Sequence, residues 1–91
     1  MRFEWDPLKA AANFAKHGVR FAETIPVFED DLAVTVTDNE SDPAEERFVT
    51  IGLGAKRRVL VVVYCWRGGR IRIISGRKAE AHERARYEEN P

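Results

Sequence analysis

Residues 59–66 read Val-Leu-Val-Val-Val-Tyr-Cys-Trp, and no other stretch constrains this chain as strongly. A run this short cannot cross a bilayer, which takes about 20 apolar residues. A run that is apolar at every position predicts a strand covered on both faces, not one with a wet side. Gly68-Gly69 follow at once, and two glycines supply the positive φ that a two-residue hairpin demands. The strand-like segment 70–78 then returns antiparallel. The chain is therefore predicted to fold around a central hairpin, with the rest of its length covering both faces.

That covering is readable in order. Phe3-Glu4-Trp5 alternates and reads as a short strand. Asp6 is an N-cap and Pro7 a first helical residue. Leu8, Ala11, Ala12 and Ala15 recur at helical spacing and predict the inner face of a first helix. Lys16 and His17 occupy its last turn, and Gly18 is its C-cap. A second helix is predicted over 21–28, with Phe21, Ile25 and Phe28 on one face. Pro26 requires it either to start late, near Thr24, or to bend. Strands follow at 32–37 and 47–53, separated by a polar loop over 38–46 that contains Pro43. Residues 54–57 turn the chain into the hairpin. A last helix is predicted over 79–89, with Glu80 and Arg84 spaced for an ion pair. The order β-α-α-β-β-β-β-α predicts an α+β fold: an antiparallel meander sheet with two N-terminal helices and one C-terminal helix. Residues 1–91 are expected to form a single domain. A chain this short buries only about 60–65% of its unfolded surface, so a partner protein would add stability.

Formal net charge is zero, but it is unevenly spread. Residues 1–46 carry four Lys or Arg and eleven Asp or Glu, a balance of −7; residues 47–91 carry eleven and four, a balance of +7. The division predicts a basic working face with an acidic back, unless the halves mix in space. A lone cysteine, Cys65, allows no disulfide framework and no cysteine zinc site. Two histidines, His17 and His82, and no clustered carboxylates predict no metal centre and no cofactor. The first residues are charged where a signal peptide would be apolar. A cytoplasmic location is expected, and no membrane association.

Segment 70–78 carries Arg70, Arg72, Arg77 and Lys78 into the last helix. Arg presents a planar fork that matches phosphate, so this segment suits a polyanion. Arg77 sits where strand becomes helix, where backbone donors add to its charge. Arg72 alternates with Ile71 and Ile73 and so faces away from the core. Strict alternation would set Arg72 and Arg77 on opposite faces; only a bulge or twist near Gly76 would let them converge. Glu83 and Tyr87 are four apart on one helix face, a proton acceptor beside a stacking or donating group.

The blocks Phe3-Glu4-Trp5-Asp6, Lys9, Ala12-Asn13 and Lys16-His17-Gly18-Val19 together resemble the opening of the BrnT toxin family. The likeness continues through Phe21, Val27-Phe28, Asp30-Asp31, Glu45-Glu46-Arg47-Phe48 and Ile51-Gly52. It ends in Ile71-Arg72-Ile73-Ile74-Ser75, Arg77-Lys78-Ala79, Glu83-Arg84 and Tyr87-Glu88. Gly76 stands where such chains commonly carry Ala. The resemblance implies a RelE-like ribonuclease toxin of a type II toxin–antitoxin system. Its implied partners are RNA and a BrnA-type antitoxin, in a heterotetramer of two toxins and two antitoxins. That complex would reach operator DNA through the antitoxin and repress its own operon. A RelE-like arrangement also implies that an arginine at the start of the central strand faces the scissile phosphate; Arg58 is taken for that role, with Arg57 an equally placed competitor. The expected catalytic set is Arg58, Arg72, Arg77, Glu83 and Tyr87. The expected RNA-binding set is Lys16, His17, Arg47, Lys56 and Lys78. Cleavage without a metal needs cations on the phosphorane, a base at the 2′-OH and an acid at the 5′-oxygen. Arg can serve only the first role, because it stays protonated. A non-catalytic module supporting an antitoxin's DNA binding is the competing reading, and a metal-dependent nuclease a weaker third.

Overall fold

A computed structural model describes residues 1–38 and 45–89. In chain order the elements are β1 (Phe3–Glu4), α1 (Pro7–His17), a 3₁₀ helix (Phe21–Glu29), β2 (Val34–Asp38), β3 (Arg47–Leu53), a 3₁₀ turn (Ala55–Arg57), β4 (Val59–Arg67), β5 (Arg70–Lys78) and α2 (Ala81–Glu88). The five strands form one sheet in the order β1-β5-β4-β3-β2. Most of the loop expected over 38–46 lies outside the described residues.

The hairpin is as expected. Gly68 and Gly69 adopt φ values of 58° and 77°, and β4 and β5 pair antiparallel on either side. The sheet as a whole departs from the expected meander. β2 to β5 are antiparallel in sequence, but β1 pairs parallel with β5, through Phe3 opposite Ile71 and Glu4 opposite Arg72. The sheet is mixed because the chain leaves β1 through two helical segments that cross one face. A crossover, unlike a hairpin, delivers a parallel neighbour.

β4 is covered on both sides. Leu60, Val62 and Tyr64 meet Val19, Phe21, Val27, Ile71 and Ile73 under α1 and the 3₁₀ helix. On the other side Val61, Ile51 and Ala79 pack with Val49, Val59 and Tyr87 under α2. Phe28 bridges Phe3 and Tyr64 at centroid distances of 5.2 and 4.8 Å.

Both caps of α1 form. Asp6 Oδ1 accepts from Leu8 N at 2.8 Å, and Gly18, at φ 68°, donates to Phe14 O at 2.8 Å. Its inner face is not the expected one. Leu8 is 81% exposed, and Ala11, Ala12 and Ala15 are exposed too. Ala10, Asn13 and His17 turn inward instead, and only Asn13 is fully buried. The polar residue wins because its amide is completely used. Asn13 Nδ2 donates to Val19 O at 2.9 Å and Gly76 O at 2.8 Å, and Oδ1 accepts from Gly76 N at 3.1 Å. Gly76 permits this approach: a Cβ there would lie 2.8 Å from Thr24 Cγ2.

The second helix is 3₁₀ throughout, neither late-starting nor bent. A three-residue repeat eclipses positions i and i+3, so Phe21, Thr24 and Val27 are buried in line, with Glu23 beside them, and not the i,i+4 set. At the other end of the chain Glu80 and Arg84 do not pair. Arg84 Nη1 donates to Ala79 O at 2.9 Å, and Glu80 lies nearest His82 Nδ1, at 3.7 Å.

Replacing Asn13 by Ala removes three bonds and leaves the buried backbone of Gly76 unsatisfied. The expected loss of stability is about 2–4 kcal/mol, from roughly 1–3 kcal/mol per orphaned group. Urea unfolding measures it; a loss under about 0.5 kcal/mol would show that the clamp contributes nothing.

Candidate active site

The position of the arginines follows from a slip in register. Val63 pairs with Ser75, but Tyr64 pairs with Ile73, which leaves Ile74 as an extra residue in β5. Such a bulge resets alternation. Arg72 then lies opposite Cys65, and Arg77 opposite Val61. Cys65 and Val61 are both odd-numbered members of β4 and share its α2 side, so both arginines share that side as well. The convergence comes from a bulge at Ile74, two residues before Gly76.

Beside Arg77, α2 supplies Glu83 and Tyr87. Arg77 Nη1 and Nη2 donate to Glu83 Oε1 and Oε2 at 2.7 and 2.8 Å, a two-pronged contact. Glu83 Oε1 also accepts the Glu80 N–H at 2.8 Å. The Arg77 bonds, working against burial, pull the Glu83 carboxyl down to about 2. The same bonds push Arg77 further up. A carboxylate this acidic stays ionised at neutral pH and is a weak base. Tyr87 donates its hydroxyl to Asp30 Oδ2 at 2.6 Å. That bond, with burial, pushes the phenol up to about 12, so Tyr87 keeps its proton at neutral pH. Burial pushes Asp30 up, but donors from Tyr87, Leu53 N and Leu32 N outweigh it and leave the carboxyl below its usual value.

Arg72 Nη1 donates to Glu4 Oε2 at 2.8 Å, across the parallel β1–β5 pairing. Arg58 takes another direction. It reaches the 3₁₀ helix on the far side of the sheet, where Nη2 donates to Glu23 Oε1 at 2.6 Å. Glu23 also accepts Arg20 N, the largest cause of its lowered pKa. The structure therefore puts Arg72, Arg77, Glu83 and Tyr87 on one side of the sheet, with Arg77 and Glu83 in direct contact, and directs Arg58 to the other side.

The expected RNA contacts are dispersed. Arg47 opens β3 opposite Cys65, on the Arg72 side. Lys16 is exposed and His17 half-buried, both on the opposite layer in α1. Lys56 lies in the turn before β4, 3.8 Å from Glu23. Lys78 ends β5 and is exposed. Trp66, expected in the core, is 52% exposed, whereas Trp5 packs edge-on against Phe21 at 6.0 Å.

The two charge halves mix in space. Glu4, Glu23 and Glu45 of the acidic half hold Arg72, Arg58 and Arg67 of the basic half. Asp30, Glu4 and Glu23 were not among the expected site residues. Glu23 had one local signal, an acid three residues past a helix start; Glu4 and Asp30 had none, because their partners lie 68 and 57 residues away. Among the described residues, Glu80, His82 and Glu83 place potential ligand atoms within 4.8 Å of one another. Both Glu83 oxygens are already bonded to Arg77, so a cation there would have to displace the guanidinium. No helix among the described residues is long and apolar enough to cross a membrane.

A five-stranded mixed sheet, with two arginines on one face beside a C-terminal helix, defines a small α+β domain. Residues 5–83 match the family described as "Ribonuclease toxin, BrnT, of type II toxin-antitoxin system", and the chain belongs to that family. Among solved structures, the 1.1 Å crystal structure of the Brucella abortus ribonuclease toxin BrnT is similar, with a TM-score of 0.71 and 27% identity. The likeness covers 88% of this chain and 97% of that one. None of the proteins with curated descriptions matches.

The shifted groups predict two pH limbs. Glu83 titrates lower folded than unfolded, so its contribution is present above about 4.5 and lost as pH falls toward about 2. Tyr87 titrates higher folded, so its contribution is present below about 10 and lost as pH rises toward about 12. Glu83→Gln should remove part of the acid slope and cost about 1 kcal/mol at pH 7, a figure held down by solvent around Arg77. Tyr87→Phe should flatten the alkaline slope. Urea midpoints across pH test both; unchanged slopes would refute the pairings.

Proposed function

We propose that this protein is an endoribonuclease that cleaves RNA without a metal ion, inhibits translation, and is neutralised by a BrnA-type antitoxin. The proposal includes a RelE-like relationship for its fold. Membership of the BrnT family supports it, and so does the cationic sheet face beside α2. The observation that carries it is the convergence of Arg72 and Arg77 through the bulge at Ile74.

On this reading RNA lies across the α2 side of the sheet. Arg77 stabilises the charge that builds on the phosphorane, and Arg72 holds the same phosphate or its neighbour. Removing one such preorganised donor costs about 10²–10³ in rate. Glu83, doubly bonded and ionised, holds the Arg77 fork at its angle. Tyr87, protonated at neutral pH, is the group able to donate toward the leaving 5′-oxygen once released from Asp30, while the attacking 2′-OH gives its proton to solvent water. Arg47 lies on the same face and adds backbone contact. Arg58 acts from beyond the sheet edge, Lys78 contacts the strand beside Arg77, and Lys16, His17 and Lys56 supply diffuse attraction. The antitoxin complex contains two copies of each chain and reaches operator DNA through the antitoxin's own DNA-binding module, repressing the operon.

A second reading has one specific observation behind it. Arg58, Arg72 and Arg77 each already hold a carboxylate at 2.6–2.8 Å. A module that only supports an antitoxin would look the same. Cleavage of RNA by purified protein in EDTA, beside Arg77→Ala, separates them. Wild type should cleave, and the variant should lose about 10²–10³ in rate. Equal cleavage by both would move the site away from Arg77. No cleavage by either, even with translating ribosomes, would favour the non-catalytic module.

A further inference from the structure

At one end of the sheet, away from the Arg72 side chain, lies a cavity of about 300 Å³ lined by Arg57, Arg58, Val59, Lys78, Ala79 and Arg84. We propose that this cavity binds a phosphate group of the RNA strand and grips the substrate before the reacting phosphate meets Arg77. The inference rests on the ribonuclease reading and adds a second, separate anion subsite to it.

Three observations point the same way. The first is charge. Four of the six lining residues are cations, and the other two are apolar. Apolar walls weaken solvent screening and strengthen attraction to an anion. Arg57 and Lys78 make no ion pair with any described carboxylate, whereas Arg58, Arg72 and Arg77 are each held by one. Positive charge that no described carboxylate neutralises therefore remains in the cavity lining, at Arg57 and Lys78. The second is an unmet donor: Arg58 Nε is buried and has no hydrogen-bond partner among the described residues. A buried orphan donor is uncommon, and the Arg58 guanidinium, held to Glu23 through Nη2, keeps bonding capacity unused at the edge of the cavity it lines. The third is backbone strain. Lys56 and Arg57 adopt φ of 61° and 57°, consecutive left-handed residues with no glycine. Long side chains occupy that region only at a cost, and such outliers gather at ligand clamps. The turn therefore holds Arg57 and Arg58 in place at the start of β4.

The location suits a grip beside a reacting centre. Lys78 adjoins Arg77 in β5, and Arg77 Nη1 donates to Lys78 O at 3.3 Å. Arg84 follows Glu83 in α2 and donates to Ala79 O on the cavity wall. Each cavity cation is therefore on an element that also carries the Arg77–Glu83 pair, or joins the strand that runs alongside it. A strand seated in the cavity is led toward Arg77 along the same junction.

The test reads binding, not cleavage, so it stands apart from the ribonuclease assay. A fluorescent 2′-O-methyl RNA oligonucleotide, which cannot be cleaved through its 2′-oxygen, is titrated at a series of salt concentrations. Each phosphate contact on a single strand adds about −0.7 to the slope of log K against log salt. Arg57→Gln with Lys78→Gln should weaken binding about tenfold at low salt and reduce the slope by roughly one contact, about 0.7. Arg86→Gln, an exposed α2 arginine outside the cavity, should change the slope less. Equal effects of the two variants, no effect of the double variant, or no binding by wild type would each overturn the proposal. Cleavage by wild type alongside any of these would leave the ribonuclease reading intact. Repeating the titration with a 3′-phosphorylated oligonucleotide identifies the source of the group. Equal slopes mean an internal phosphodiester; a steeper slope only with the added phosphate means a terminal one.

Discussion

The amide of Asn13 holds the two layers of this protein together. It is one side chain, but it bonds both backbone groups of Gly76 and closes the loop at Val19. Everything on the α2 face depends on where β5 runs, and β5 is held from behind at Gly76. A small domain has few such fastenings, because its core is thin and its net stability is a small difference between large terms. Placing the one buried polar contact of α1 two residues past the bulge ties the irregular part of the strand to a rigid helix. The absence of a Cβ at Gly76 is what lets the helix come near enough.

Three arginines of this chain are neutralised internally. Arg77, Arg72 and Arg58 each have a carboxylate, drawn from a different element. On the proposed reading, an RNA phosphate that reaches Arg77 exchanges one anion for another and does not find a bare cation. That exchange lowers the gain on binding, but it keeps the guanidinium aimed before substrate arrives, which is the condition for electrostatic stabilisation at low reorganisation cost. Two forms of one device recur. Glu23 and Glu83 each accept the backbone N–H of the residue three before them and also hold an arginine, Arg58 just before β4 and Arg77 in β5. Helix start and arginine are fastened by one carboxylate, so loss of either acid would loosen both.

Much of the scaffold was legible from residues alone, because its signals are local. The double glycine, the caps at Asp6 and Gly18, and the bounds of β3 and β5 each depend on neighbours in sequence. The illegible features are long-range or energetically subtle. Nothing in Ile73-Ile74-Ser75 marks a bulge; the register is set by what β4 and Asn13 require. The apolar ladder of Leu8, Ala11, Ala12 and Ala15 mispredicted the face of α1, since a fully bonded Asn buries better than a helical stripe with nowhere to pack. Periodicity also assumed 3.6 residues per turn through Pro26, where the chain winds at three. The arginine set was visible as a set, but its division between two sides of the sheet was not. Alternation located Arg72 correctly, and only the extra residue brought Arg77 to join it. The parallel β1 was hidden because pairing of a two-residue strand leaves no pattern to read.

Because of the bulge, β5 is a strand with two phases. Its first half presents even-numbered residues to the α2 side, and its second half presents odd-numbered ones. Ile74 is the hinge between these phases, and it is a length, not a chemistry. A strand one residue shorter, with every remaining side chain unchanged, would have a single phase. Arg72 or Arg77, but not both, would then face into the apolar layer beneath α1, where a guanidinium has no place. The pairing of two arginines on this surface is thus written partly in a count of residues, and substitutions elsewhere in the strand cannot restore it.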